Sequence, residues 1–331
     1  MGIEKILSEW KKKLFKPIYW LEGEEEYYID KLANYAEHNI LSPSEASFNL
    51  TIFYGRDANW ADILNACRRY PMFSDFQIVL IKEAQHLKEI DKLDAYFQNP
   101  LSSTLLVVAY KDKKLDARTK FAKIVKEKAE VFATKKMQAS ALPDWVNKLV
   151  NGLKHTITPK ANALLVEHIG NDLSRIENEI EKILINIGGR KSITEEDIEQ
   201  FVGISKEYNI FELQSALANK DMPKAIRIVQ YFAANPKVAP MPLVLSSLYS
   251  FFSKVYMTFS LSGGDDTIAR LIGVSPYYIK DYLKASKAYG FSRTEQMLLL
   301  LHHYNLKSIG VNAAPTQNAD LMKELVVKAM M

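Results

Sequence analysis

Cysteine is nearly absent: Cys67 stands alone among 331 residues. A single thiol builds neither a disulfide framework nor a cysteine-based zinc site. Long apolar runs are missing as well. The longest, around residues 243–259, is interrupted by serines and by Lys254, which suits a buried helix better than a membrane span. Excess charge of one sign is also scarce. Lysine and arginine number 43 against 39 acids, a formal net charge of +4, too small by itself to indicate a nucleic-acid partner. Internal repeats and low-complexity segments are absent too. The opening MGIEKILSEWKKKLF alternates charged and apolar residues. It reads as an amphipathic helix and not as a signal peptide, so a cytoplasmic protein is expected. What remains is an ordinary globular composition, 48% hydrophobic and 25% charged, long enough for two or three domains.

The first 135 or so residues alternate between two patterns. Short apolar, β-branched runs at 18–22, 49–54, 77–81, 104–109 and 131–134 read as strands buried on both faces. Helical stretches at 25–37, 60–70, 90–97 and 117–128 separate them. This alternation predicts an α/β layer with a mostly parallel sheet. After Lys136 the strand signals stop. A second block opens at Leu142-Pro143-Asp144-Trp145 with three helices. Thr158-Pro159 caps one that Gly170 closes, NDLSRIENEIEKILINIGG ends at Gly188, and Thr194 starts the third with three acids in its first turn. A third block, all helical, starts near Tyr208. Its stretch from Leu243 to Phe259 has almost no polar face and is expected at the centre of a bundle. Ser275-Pro276 reads as another helix cap, and NAAPTQN at 312–318 as a flexible loop.

The segment IYWLEGEEEYYIDK has the strand–glycine–helix frame of a phosphate cradle without its ligating parts. A P-loop reads G-x-x-x-x-G-K-[ST] and binds phosphate through backbone N–H groups, the lysine and a magnesium-bound hydroxyl. From Gly23 this chain has no second glycine, no lysine at that spacing and no following Ser/Thr. Glu24, Glu25 and Glu26 occupy the positive end of the helix instead, where they favour the helix and repel a triphosphate. Their simplest reading is as solvated glutamates of a helix start. QIVLIKEAQHL gives a second check. Where a strand-terminal Asp-Glu pair would manage magnesium and the attacking water, Lys82 precedes Glu83, and a lysine opposes a metal cation.

Taken in order, these segments resemble the delta subunit of the bacterial DNA polymerase III clamp loader. The resemblance rests on PIYWLEGEEEYYIDK, RRYPMFSDFQIVLIKEA, LLVVAYKDKKLDARTKF, GNDLSRIENEIEKI with ITEEDIEQFVG, and FELQSALANKDMPKAIRI, a set spanning most of the chain. It implies an α/β N-terminal module with an AAA+-like parallel sheet and a degenerate P-loop (residues 1–138), a helical lid (139–207) and a C-terminal all-α collar bundle for oligomerisation (208–331). It further implies a subunit without a catalytic site, cofactor or metal of its own. This subunit would bind the sliding clamp and favour its opened form, so that the clamp is loaded on primed DNA. ATP-binding sibling subunits would assemble with it through the collar. In this family an adjacent apolar pair before the third strand wedges into a clamp pocket, and the pair maps to Met72 and Phe73 in YPMFSDF. The alternative from the residues alone is that both pack inside the α/β domain.

Other candidates carry less. KDKK (111–114) and ATKKM (133–137) suit DNA phosphates or plain solvation alike. Arg118 resembles an arginine finger but has Asp116 and Asp112 as nearer partners. An active lid would carry an arginine just after G-D-L, where this chain has Ser174, with Arg175 one place late. His302-His303 is not a metal motif, because adjacent helical side chains point about 100° apart. Two rival functions stay open: a P-loop-type ATPase with an aberrant nucleotide loop, and a stand-alone DNA-binding module.

Overall fold

The computed structural model describes residues 2–205, 208–274, 278–311 and 317–331. The chain divides into two units, Met1–Met137 and Gln138–Met331. The first is α1 (Ile3–Lys11), β1 (Ile18–Gly23), α2 (Glu26–Asn39), α3 (Pro43–Asn49), β2 (Leu50–Tyr54), α4 (Trp60–Cys67), β3 (Gln77–Lys82), α5 (Asp94–Gln98), β4 (Thr104–Lys111), α6 (Lys120–Lys128) and β5 (Glu130–Thr134). The five strands form one parallel sheet in the order β2-β3-β4-β1-β5. Side chains alternate across the pleat. Ile18, Trp20, Val79 and Ile81 enter the core shared with α4, α5 and α6. Tyr19, Leu21, Ile78 and Leu80 enter the core shared with α1 and α2. Both faces are therefore buried, which is why the strands read as continuous apolar runs.

All five expected strands are present, with ends displaced by one or two residues. Two helical expectations need correction, and one helix was not anticipated. The stretch 90–97 is a 3₁₀ turn, Ile90–Leu93, followed by the short α5. The helix α3 lies in a stretch read as connection; it is set by a capping box in which Ser42 and Glu45 bond reciprocally, with Pro43 at the first turn. The helix expected over 60–70 stops at Cys67. Its end is held by side chains from the sheet: the Gln77 amide donates to Ala66 O (3.1 Å) and Arg69 O (2.5 Å), and the Thr104 hydroxyl donates to Cys67 O (3.0 Å). These bonds satisfy carbonyls that a continuing helix would have used. Residues 68–76 are thereby freed to form an irregular turn.

The second unit contains α7 (Leu142–Gly152), β6 (Thr156–Ile157), α8 (Pro159–Ile169), α9 (Leu173–Asn186), β7 (Ser192–Ile193) and α10 (Glu195–Asp197), which runs into a π-helical turn, Ile198–Val202. Then follow α11 (Ile210–Ala218), α12 (Met222–Ala234), α13 (Met241–Thr258), α14 (Asp265–Ile272), α15 (Ile279–Ser308) and α16 (Asn318–Met330). The expected caps hold: Thr158 Oγ1 accepts from Ala161 N–H (3.2 Å), Gly170 ends α8, and Thr194 and Asp197 form a capping box. Strands do not stop at Lys136, however. β6 and β7 pair in parallel over two residues each, too short for any alternation to show in the sequence. Helix α13 buries Val244, Leu248, Phe251, Phe252 and Val255 among the helices around it, while Tyr249, Met257 and Phe259 reach solvent. Its polar face is narrow, with Ser246 and Ser250 exposed on it. Helix α15 breaks direction at Gly290, where φ is 65°, a conformation open to glycine. The cap expected at Ser275-Pro276 and residues 312–316 of the expected loop lie outside the described residues.

Gln77 is buried, so removing its amide takes the side-chain donor from Arg69 O and leaves Ala66 O with the Arg69 N–H alone. Gln77→Ala is expected to cost about 1–3 kcal/mol, seen as a lower urea midpoint with an unchanged slope.

Candidate functional site

In open parallel sheets ligands bind beyond the carboxyl ends of the strands, where the strand order switches direction. Here that place lies at the ends of β1, β4 and β5, and only Glu24 and Glu25 separate β1 from α2. Gly23 has φ +127°, and a Cβ there would lie 2.2 Å from Thr134 O. Its N–H donates to Lys113 O (3.1 Å). The Glu25 N–H donates to Thr134 Oγ1 (3.1 Å). Glu25 itself is not a solvated glutamate, against expectation: it is 2% exposed. Its Oε2 accepts the Met137 N–H (3.1 Å), and its Oε1 lies 3.8 Å from Lys136 Nζ. Glu24 and Glu26 are exposed. The N-cap of α2 thus carries a buried carboxylate whose hydrogen bond goes to the Met137 N–H and not to the helix's own N–H groups.

The flanking lysines are internally paired. Lys111, at the end of β4, lies 2.6 Å from Asp30 and 3.6 Å from Glu26. Burial pushes the Glu26 carboxyl above the usual carboxylate range, Lys111 pulls it back, and Asp112 adds like charge. Lys82, at the end of β3, lies 2.5 Å from Glu37 Oε2. Both lysines therefore find their counter-charges on α2. Glu83 has a left-handed backbone and pairs loosely with Arg56 at 3.8 Å. Among the described residues no group of three or more His, Cys, Asp or Glu could hold a metal ion. His302 and His303 are exposed beside the buried Tyr304. Arg118 Nη2 pairs with Asp116 at 2.6 Å on the surface, and Ser174 and Arg175 are exposed in the first turn of α9.

The turn 68–76 projects apolar groups instead of burying them. Met72 is 53% and Phe73 91% exposed, with Tyr70 open beside them. Neither side of the pair packs into the α/β core. Phe73 adopts φ +55°, an uncommon conformation for an aromatic residue. Three buried or tied side chains hold the turn around it. Asn49 bonds both backbone groups of Met72, Glu45 accepts from the Ser74 hydroxyl (3.1 Å), and Gln77 holds Arg69 O. The sequence reading missed Asn49 and Glu45. The signal available was the Ser42–Glu45 capping-box spacing, which marks α3 and hence the helix that carries both.

Because Gly23 combines a positive φ with a close approach to β5, Gly23→Ala is expected to destabilise the first unit by at least about 1–3 kcal/mol, measurable by chemical denaturation.

Residues 19–135 match the family model described as DNA polymerase III, delta subunit. The DNA polymerase III subunit delta of Bacillus subtilis is 26% identical over 301 residues, covering 88% of this chain and 86% of its own length. The structure of the Bacillus subtilis DNA clamp loader delta protein superposes with a TM-score of 0.58 at 22% identity, covering 99% of each chain. That likeness supports the fold: a parallel α/β module followed by helical segments. The chain is thus similar to the delta subunits of DNA polymerase III, through the family model over residues 19–135 and through the Bacillus subtilis relative along most of its length.

Proposed function

We propose that this delta subunit binds the sliding clamp through Met72 and Phe73 and favours the clamp's opened form, so that the ring can be placed on primed DNA. The observation that carries the reading is the pair itself: two large apolar side chains, 53% and 91% exposed, on a turn tied down by buried hydrogen bonds. Isolated surface apolar residues are common, but a tethered aromatic anchor is typical of an interface hot spot. Burying both in a pocket contributes roughly 3–6 kcal/mol. The unbranched methionine adapts to an uneven pocket wall beside the rigid ring of Phe73.

Opening then follows from differential binding. A partner shifts an equilibrium only by the difference in its affinity for the two states. If the clamp pocket accepts Met72 and Phe73 better when the neighbouring ring interface is relaxed, occupancy of the pocket favours the open ring. Residues 139–207 act as a lid and residues 208–331 as the collar that joins the subunit to ATP-binding siblings. The subunit works in the cytoplasm and contributes no catalytic site or cofactor. Support for that last point is the buried Glu25 carboxylate at the helix start and the pairing of Lys82 and Lys111 with acids of α2. Among the described residues no helix is long and apolar enough to cross a membrane.

The test is titration of the full chain against its cognate sliding clamp. Met72→Ala/Phe73→Ala is expected to weaken binding about 100-fold or more with an unchanged melting temperature. Wild-type affinity in the folded double variant would refute the anchor. In a parallel calorimetric titration ATP is expected to give no binding heat; micromolar ATP binding would favour the ATPase reading.

A further inference from the structure

We propose that Asn49 is a positioning residue for clamp binding: its buried amide fixes the backbone at Met72 and thereby sets the direction in which Phe73 leaves the surface. This inference rests on the reading of Met72 and Phe73 as the clamp anchor.

Asn49 is the last residue of α3 and is 2% exposed. Its Nδ2 donates to Met72 O (2.8 Å), and its Oδ1 accepts from Met72 N–H (2.7 Å). One side-chain amide thus satisfies both backbone groups of Met72, the two-point exchange that a neighbouring strand would otherwise make. The same Nδ2 donates to Glu45 O (3.0 Å) within α3, which locks the rotamer against the helix. The residue that follows Met72 is the one in a left-handed backbone. Phe73 makes almost no side-chain contact that could hold it there, being 91% exposed. An unfavourable backbone conformation persists only when its surroundings over-determine it. Those surroundings are Asn49 on one side and the Glu45–Ser74 bond (3.1 Å) on the other. Asn49 and Glu45 are four residues apart on α3, hence on one helix face. α3 is therefore the bracket from which the anchor turn hangs.

A bracket of this kind acts on binding through the population of the competent turn. The apparent dissociation constant is the intrinsic one divided by the competent fraction. Loosening Met72 lets Phe73 leave the left-handed region and lowers that fraction, while the contacts made once bound are unaltered. The effect falls on the association rate and leaves dissociation unchanged. A residue needed only for the fold would instead reduce the amount of bindable protein, and one touching the clamp would act on dissociation.

The experiment measures association and dissociation rates of the full chain with the cognate sliding clamp, together with amide hydrogen exchange. Asn49→Ala is expected to lower the association rate and the affinity by about 10-fold, to speed exchange at the Met72 amide, and to leave dissociation and protection of the β-sheet amides unchanged. Asn49→Asp keeps an acceptor for the Met72 N–H but sets a carboxylate against its carbonyl, so it moves the same quantities in the same direction. If Asn49→Ala yields no folded protein, Asn49→Asp decides the matter. A wild-type association rate despite faster Met72 exchange would overturn the inference. So would a loss carried by dissociation, or a general loss of sheet protection in both variants. Met72→Ala/Phe73→Ala separates the two readings. If it binds like the wild type, the anchor falls. If it loses binding while Asn49→Ala does not, only the role of Asn49 falls.

Discussion

A parallel sheet covered on both faces leaves little of itself to meet a partner. The side chains of the central strands β1, β3 and β4 are committed almost entirely to one core or the other, and their backbone groups are used in the ladder. Function is confined to strand ends and the connections beyond them. In the first unit this constraint explains two features at once. The ends of β1, β3 and β4 carry Gly23, Lys82 and Lys111, and each of the two lysines is matched by an acid of α2. The exposed Met72 and Phe73 lie in the turn between α4 and β3.

The closure at the end of β1 depends on charge as much as on shape. A helix start attracts negative charge, and its free N–H groups need acceptors. A phosphate meets that need in a nucleotide-binding protein. Here the start of α2 carries Glu25, whose carboxylate also accepts the Met137 N–H at the chain's exit from the sheet. The same group favours the helix and ties down the segment after β5. With its ends internally paired, the sheet becomes a stiff support. Gln77, the first residue of β3, holds the end of α4, and Asn49, the last residue of α3, holds Met72. In the proposed clamp binding, stiffness behind Met72 and Phe73 matters because ordering a loose loop on binding subtracts from affinity.

Much of this was legible from residue order. The five strands, the caps at Thr158 and Thr194 and the glycine stop at Gly170 followed from local preferences that act within a few residues, so pattern alone exposed them. The elements that escaped are those whose cause is distant. Helix α4 stops at Cys67 because Gln77 and Thr104 take its last carbonyls, and nothing within 60–70 announces that. Strands β6 and β7 form only because two short segments meet. Glu25 looked like its neighbours Glu24 and Glu26 and proved buried, because its partner is more than a hundred residues away.

Residue order by itself therefore determined the class of the first unit, the loss of every phosphate-binding side chain after Gly23, and the presence of an apolar pair in YPMF. Those properties depend on residue type and short spacing. Only the tertiary structure decided that Met72 and Phe73 face solvent, that Phe73 is held in a left-handed backbone, and that Asn49 is buried beneath them. Burial and hydrogen-bond partnership are properties of pairs far apart in the chain, and they come into being only when α3, α4 and β3 are brought together.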